Sequence, residues 1–397
     1  MYRRRDLFSL GLTTPFLVRR AHGQRRYSLL LKGGRVIDPS QGLNAVRDVA
    51  VADGKVAAIE PDISPREAER TVPVPGQLVV PGLVDLHVHG FEGMSYWGLD
   101  IDQHCVTRGV TTAVDGGTSG ADSFDGFRRL VIRPARTRIL AFLNISRIGL
   151  VGRPGELVDM RMIDADVALK AAREHEDVIV GIKVRCGADL TGPNDIHALR
   201  TARKVGDAIG KPLMIHLGNP HSPTEALVRE ARPGDMFTHS FRAPGTGGVA
   251  DKDGNIPGYV LDAAKRGIHF DVGHGIGGFA FATAEAALKV GLLPSSISTD
   301  IHAPSALGPV FDMPTTLSKF LMLGLSLDKV IELATIAPAR LISRSAEFGS
   351  LRPGFPADIA VLELVQGDFS FFDASRSVRK HNQKLVSVLT LREGRLP

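Results

Sequence analysis

Apolar positions along this chain fall into two patterns. Near both ends they alternate with polar residues or form short runs between turn signals, the signature of strands. Leu29, Leu30 and Leu31 open the N-terminal set, with Val36 and Ile37 behind them. Val49 and Val51 follow, and Asp53-Gly54 marks a hairpin turn before Val56 and Ile59. Residues 71–80 form another strand-like run, and 357–362 and 385–390 repeat the pattern near the C-terminus. The middle of the chain alternates instead. Strands are predicted over 83–89, 111–117, 138–146, 178–185, 212–218, 235–241, 269–275 and 296–302, with helical periodicity between them at 163–175, 195–209 and 282–290.

Eight strand–helix units over about 250 residues is the size of a closed barrel. The predicted fold is therefore α/β: a (β/α)8 TIM barrel over 82–350, with a small β-sandwich domain built from both chain ends, 28–81 and 351–397. A doubly wound open sheet is the alternative. The barrel is preferred because polar residues with ligand chemistry fall at the C-terminal ends of many different strands, and only in a barrel do those ends meet in one mouth. The glycine-rich run 273–278 lacks the G-x-G-x-x-G spacing of a dinucleotide site.

Composition changes the picture little. The chain has 397 residues, 43% of them hydrophobic and 6% aromatic, with 43 glycines, as expected of a globular α/β enzyme rich in tight turns. Its net charge of +5 could suggest a nucleic-acid partner. Residues 1–23, however, hold five arginines against Asp6 and so account for +4 of it. No basic stripe is left elsewhere, so no nucleic-acid partner is expected. The same segment resembles a twin-arginine export signal: Arg4-Arg5-Asp6-Leu7-Phe8, an apolar stretch over 7–18, then Ala21-His22-Gly23. That apolar stretch is too short to span a bilayer, so export rather than a stable membrane anchor is the expectation. Cys105 and Cys186 are too few for a disulfide framework and read as buried thiols.

The chemistry lies at the strand ends. In the run Val84-Asp85-Leu86-His87-Val88-His89, the two histidines stand two apart on a strand and point the same way, as the first two ligands of a metal must. Alone, the pair reads more readily as hydrogen-bonded core histidines. Lys183, His216, His239 and Asp300 then end later strands in turn. A lysine inside an apolar strand is costly if charged and unpaired, whereas its neutral amine can take up CO2 to form a carbamate that bridges two cations. Arg185 shares the parity of Lys183 and is a candidate to hold a substrate carboxylate, a salt bridge to a neighbouring loop being the plain alternative. His274 and His302, ending strands seven and eight, are candidates for substrate contact or for orienting other groups. Asp115, ending strand two, is a candidate support for His87 or His89. His104, His175, His197 and His221 are expected to face solvent.

These residues, in this order, resemble the amidohydrolase superfamily: His-x-His on strand one, Lys on strand four, His on strands five and six, Asp on strand eight. Pro81-Gly82-Leu83-Val84-Asp85 leading into the barrel and Gly349 to Asp358 leading out fit the same family. Asp271-Val272-Gly273-His274-Gly275 and Ser298-Thr299-Asp300-Ile301-His302 look like its deacetylase-type branch, often labelled dihydroorotase-like. The resemblance implies two divalent ions, zinc foremost. It places His87, His89 and Asp300 on one ion, His216 and His239 on the other, and a CO2-derived carbamate on Lys183 between them. It also implies hydrolysis of an amide or ester of a small acylated amino acid or α-hydroxy acid by a metal-activated hydroxide, with Asp300 as the catalytic acid and base. Cyclic amidohydrolase activity, of the dihydroorotase or hydantoinase kind, is the alternative. Against it, true dihydroorotases carry a carboxylate-binding arginine two residues after the second histidine, where this chain has Phe91. The family's N-acetylglucosamine-6-phosphate deacetylases use a glutamate on strand three, and this strand has no acid. A non-catalytic metal-binding relative should lack a ligand, and none is missing. A mononuclear deaminase leaves Lys183 unexplained. Oligomeric state is not legible.

Overall fold

The computed structural model describes residues 25–152 and 155–397, and the expected export segment lies outside them. The chain begins with five strands: β1 (Tyr27–Asp38), β2 (Leu43–Ala52), β3 (Lys55–Glu60), β4 (Ala68–Pro73) and β5 (Leu78–Pro81). After the barrel, two long strands, β13 (Ile359–Phe372) and β14 (Val378–Leu391), return to the same place. All seven form one mixed sheet of order β14-β13-β5-β1-β2-β3, with β4 paired to β1. β5 is the suture, parallel to β1 on one side and antiparallel to β13 on the other. Alternation gives each face its own core. Val79 and Val361 join Leu29, Leu31 and Val49 in one cluster, while Val80, Ala360 and Leu362 face the other way into the core shared with the barrel.

The barrel strands are β6 (Leu83–Val88), β7 (Val110–Asp115), β8 (Arg138–Asn144), β9 (Ile179–Cys186), β10 (Leu213–Leu217), β11 (Met236–Thr238) and β12 (His269–Phe270). They pair in parallel and in chain order. The eighth member, 296–301, is too irregular to make a full ladder, yet it closes the ring. Asp271 bridges Ser296 on one side and Val88 bridges Ile301 on the other, both parallel. The amide of His89 donates to Ile301 O at 3.0 Å, and that of Gly275 to Thr299 O at 2.9 Å. Val84, Val114, Phe142, Val180, Met214 and Met236, from six consecutive strands, meet in one apolar cluster. Residues of six neighbouring strands can meet that way only inside a closed barrel, whose interior is packed rather than hollow.

Local signals fix the helices around this ring. The helix Ala165–Glu174 is capped by Asp164, whose side chain accepts from the amides of Asp166 and Val167. The helix Asp195–Ile209 stops at Gly210, which takes the left-handed conformation at φ 64°. Cys105 and Cys186 are both buried and unpaired. Among the described residues, no helix is long and apolar enough to cross a membrane.

Candidate active site

Each expected site residue except His274 is brought to one end of the barrel. His87 and His89 lie with ring centroids 5.1 Å apart, His87 and His239 also 5.1 Å, and His216 and His239 4.3 Å. Asp300 Oδ1 stands 3.1 Å from His89 Nε2 and 3.5 Å from His87 Nε2. Lys183 Nζ is 3.0 Å from His87 Nε2 and donates to Met214 Sδ at 3.3 Å. A cavity of about 300 Å3 opens over this group, lined by His89, Lys183, His216, His239 and Asp300, with Arg185, Arg242 and His302 beside them and Trp97, Leu150, Leu190 and Ile276 as apolar wall.

The histidines are aimed from behind. Thr238 Oγ1 donates to Asp271 Oδ2 at 2.9 Å and so accepts the Nδ1 proton of His87 at 2.9 Å. Thr118 Oγ1 donates to Asp115 Oδ2 at 2.7 Å and accepts from His89 Nδ1 at 2.7 Å. His239 Nδ1 donates to the Gly273 carbonyl at 2.6 Å. With Nδ1 protonated in all three, the Nε2 lone pairs are left for a cation. Such outer hydrogen bonds fix tautomer and ring orientation at metal sites. Asp115 thus supports His89, through a threonine.

Electrostatics agree with this arrangement. Burial holds His87 and His216 well below the usual imidazole range, and it lowers His239 to about 3, so all three are neutral and can donate lone pairs. Burial lowers Lys183 to about 7, against the opposing pull of Asp300. Burial alone would raise Asp300, but His87, His302 and His89 outweigh it and hold the carboxylate well below its ordinary range. Ligand atoms of His87, His89 and Asp300 all lie within 4.8 Å of one another. Two imidazoles and an ionised carboxylate at that spacing fit a divalent cation.

The backbone is bent to make these approaches. His239 and Asp300 sit at φ 62° and 48°, a conformation that few side chains adopt without strain and that clusters at functional sites. Gly275, at φ 45°, passes so close to Asp300 that a Cβ there would lie 2.1 Å from Oδ2. Gly116 passes His87 in the same way, where a Cβ would lie 2.1 Å from Cδ2.

Other expected residues fare differently. Arg185 lines the cavity and is also paired, donating to both oxygens of buried Glu156 at 3.2 and 3.3 Å. His302 lines the cavity, with Nδ1 2.6 Å from Asp300 O and 2.8 Å from Ser305 Oγ, while its buried Nε2 has no partner among the described residues. His274 is a correction: it is not among the cavity-lining residues, because its Nδ1 donates to Gly275 O and its Nε2 accepts from Lys319 at 2.7 Å. His197 and His221 are exposed, but His104 and His175 are half-buried, the latter packed on Phe124 at 4.9 Å. Sequence reasoning missed Glu156, Arg242 and Lys319. Arg242 opens the loop 242–256, but nothing in the pattern singles the arginine out.

The fold and the site define a barrel enzyme whose strand ends bring together a His-His-Asp cluster that could hold a metal ion. Residues 78–394 match the amidohydrolase family, and the chain belongs to that family. It is 37% identical to a deacetylase of Brucella anthropi over 344 residues, 86% of this chain and 85% of the relative. It is also 37% identical to a deacetylase of Agrobacterium fabrum over 330 residues, 83% of this chain and 81% of the relative. Among solved structures it superposes on one described as an adenine deaminase with a TM-score of 0.86 at 32% identity, covering 93% of this chain and 98% of the other. A structure described as a dihydroorotase gives 0.84 at 33% identity, covering 92% and 96%.

Proposed function

We propose that this chain removes the acyl group from a small acylated amino acid or α-hydroxy acid, using two divalent cations, zinc foremost. His87, His89 and Asp300 would hold one, His216 and His239 the other, and a carbamate on Lys183 would join them. The observation that supports this reading is the clustering of the six side chains, five of them lining one cavity and His87 directly behind, against Lys183 and Asp300. When bound, such a pair of ions lowers the pKa of a shared water and polarises the scissile carbonyl. Asp300, kept ionised by its histidine neighbours, takes the water's proton and returns it to the leaving nitrogen or oxygen.

Two arginines in the cavity favour an acid as substrate. Arg185 is already neutralised by Glu156. Arg242 donates Nε to Thr246 Oγ1 at 2.9 Å and Nη1 to the Leu217 carbonyl, both neutral, and forms no ion pair among the described residues. Exposed Asp189 is close enough to bias it electrostatically without pairing. Arg242 is therefore the cation best placed to receive a substrate carboxylate, Arg185 the second. Trp97, Leu150, Leu190 and Ile276 would take an apolar substituent. Residues 1–23 would direct the folded enzyme out of the cytoplasm.

The test is a screen of zinc-loaded protein against N-acetyl amino acids, O-acetyl hydroxy acids, dihydroorotate, hydantoins and adenine. Turnover confined to the acylated acids is the expected result. The deacetylase-named relatives favour this outcome, and the dihydroorotase-named structure makes cyclic amides the second reading. Turnover of cyclic amides alone would replace the first reading by the second.

A further inference from the structure

Away from the metal cluster, the helix Met313–Met322 lies under β14, fastened there where the amide of Leu385 donates to Ser318 Oγ at 2.8 Å. Lys319 on this helix has no exposed surface. Its ammonium donates to His274 Nε2 at 2.7 Å and to the Pro309 carbonyl at 2.8 Å, and it forms no ion pair among the described residues. Two neutral acceptors leave one N–H of the ammonium unused, and burial lowers the amine to about 7, so its charged form is poorly compensated here. The nearest carboxylates, Asp373 and Asp312, favour the charged amine from a distance but form no ion pair with it among the described residues. Asp312 caps the helix on the amide of Thr315, and Asp373 accepts from the amides of Phe281 and Ser377.

A cavity of about 80 Å3 opens beside this amine, bounded by Lys319, Thr315, Lys384, Pro309, Phe311 and Phe371. Thr315 stands one helical turn before Lys319 and so on the same face. Its hydroxyl is buried and has no hydrogen-bond partner among the described residues. Lys384 brings a second cation from β14, again without an ion pair among the described residues. A buried ammonium with a spare proton, an orphaned hydroxyl and a second lysine thus surround a space too small for a metabolite but large enough for a halide or a triatomic carboxylate.

We propose that this cavity is a binding site for one small monovalent anion, a halide or a formate-sized oxyanion, held by Lys319, Thr315 and Lys384 between the barrel and the β13–β14 hairpin. The anion neutralises Lys319, whose other bond holds His274 and with it the 273–278 wall of the active-site cavity. It therefore joins the hairpin, the helix and that wall.

Two measurements on the full chain test this. Crystals grown in bromide should show an anomalous peak between Lys319 Nζ and Thr315 Oγ1. In solution, bromide, chloride and formate at constant ionic strength should raise Tm saturably, by about 3 °C or more, over gluconate, which is too large to enter. Lys384→Met and Thr315→Val, which leave the buried lysine in place, should each weaken the anion's half-saturation concentration about tenfold or more. Lys319→Met should abolish the anion dependence if it folds, and the other two variants decide the matter if it does not. A Tm that depends on ionic strength alone overturns the proposal. So does bromide in the crystal without a saturable effect in solution, which marks an adventitious ion only.

Discussion

Asp85 Oδ1 accepts the backbone N–H of Thr299 at 2.9 Å, and this bond ties the strand carrying His87 and His89 to the irregular segment carrying Asp300. The same carboxyl takes the Thr299 hydroxyl on Oδ2 and the His87 amide on Oδ1 at 3.3 Å. The ring closes here with few backbone bonds, so this one side chain sets the distance between two ligand groups. Asp85→Ala strands those donors in a buried place, at a cost of about 2–4 kcal/mol. Melting should show a lower Tm, and metal analysis should show loss of the ion at His87, His89 and Asp300. Asp85→Asn keeps one acceptor and should lose less of both. Equal, full metal content in both variants would count against Asp85 as the suture.

Thr238 and Thr118 give a second prediction. Each passes a carboxylate's preference for a proton to a histidine, fixing its tautomer. Thr238→Val keeps the shape but removes the hydroxyl, and metal affinity or turnover should drop about 10–100-fold. Thr238→Ser should restore most of it. If competition with a chelator finds the valine variant unchanged, Asp271 and Thr238 only support the strand.

Much of this was readable from residue order because metal ligands must be of a few chemical types and must fall where strands end. His87, His89, Lys183, His216, His239 and Asp300 satisfied both conditions, and the parity of the His-x-His pair survived folding. His274 did not follow the same logic. It ends its strand as expected, but the backbone turns left-handed at Gly273 and Gly275, and the ring swings toward Lys319, a residue about 45 positions away that no periodicity connects to it. Glu156 and Arg242 were equally hidden, since loops carry no repeat from which to infer a facing partner. The eighth strand was visible as a strand-like alternation around Ile297, but not as a segment held by isolated bridges.

The buried amine of Lys183 makes loading depend on pH. Only the neutral amine reacts with CO2, and burial lowers its pKa to about 7. Reconstitution of apo-protein with zinc and bicarbonate should therefore quicken as pH rises through about 7 and slow sharply below it. The apo-protein's stability should follow the same direction. An unfolded lysine keeps its proton up to its ordinary value of 10.5 while the folded one does not, so stability rises with pH between about 7 and 10.5. Lys183→Met should lower that slope, the rest belonging to Lys319, which burial also lowers to about 7. A loading rate that is flat from pH 6 to 9 would argue against a carbamate.

Gly275 tests the strain. A methyl group there meets Asp300 Oδ2 at 2.1 Å, and the residue sits at φ 45°, so alanine must displace either the backbone or the carboxylate. Gly275→Ala should lower kcat about 100-fold or more, because small misplacements of reacting groups are costly, with the secondary structure retained by circular dichroism. Gly258→Ala, where nothing among the described residues lies within 4 Å of the added atom and which does not line the cavity, is the control and should keep most activity.

Substrate charge separates the two arginines. A carboxylate received by Arg242 forms a pair where none exists now, whereas Arg185 would have to share its charge with Glu156. Hydrogen bonds to charged groups are worth about 1.5–3 kcal/mol, which corresponds to about 10–150-fold in affinity. Arg242→Met should therefore raise KM for an acylated acid by that order with a smaller change in kcat, and leave the carboxamide analogue of the same substrate almost unaffected. Arg185→Met leaves Glu156 buried without its partner, so it should lower Tm as well as activity, and on both substrates alike. If Arg242→Met weakens the acid and its carboxamide equally, the arginine shapes the loop 242–256 rather than reading charge. If neither substrate turns over in the native enzyme, it is the acylated-acid assignment that fails.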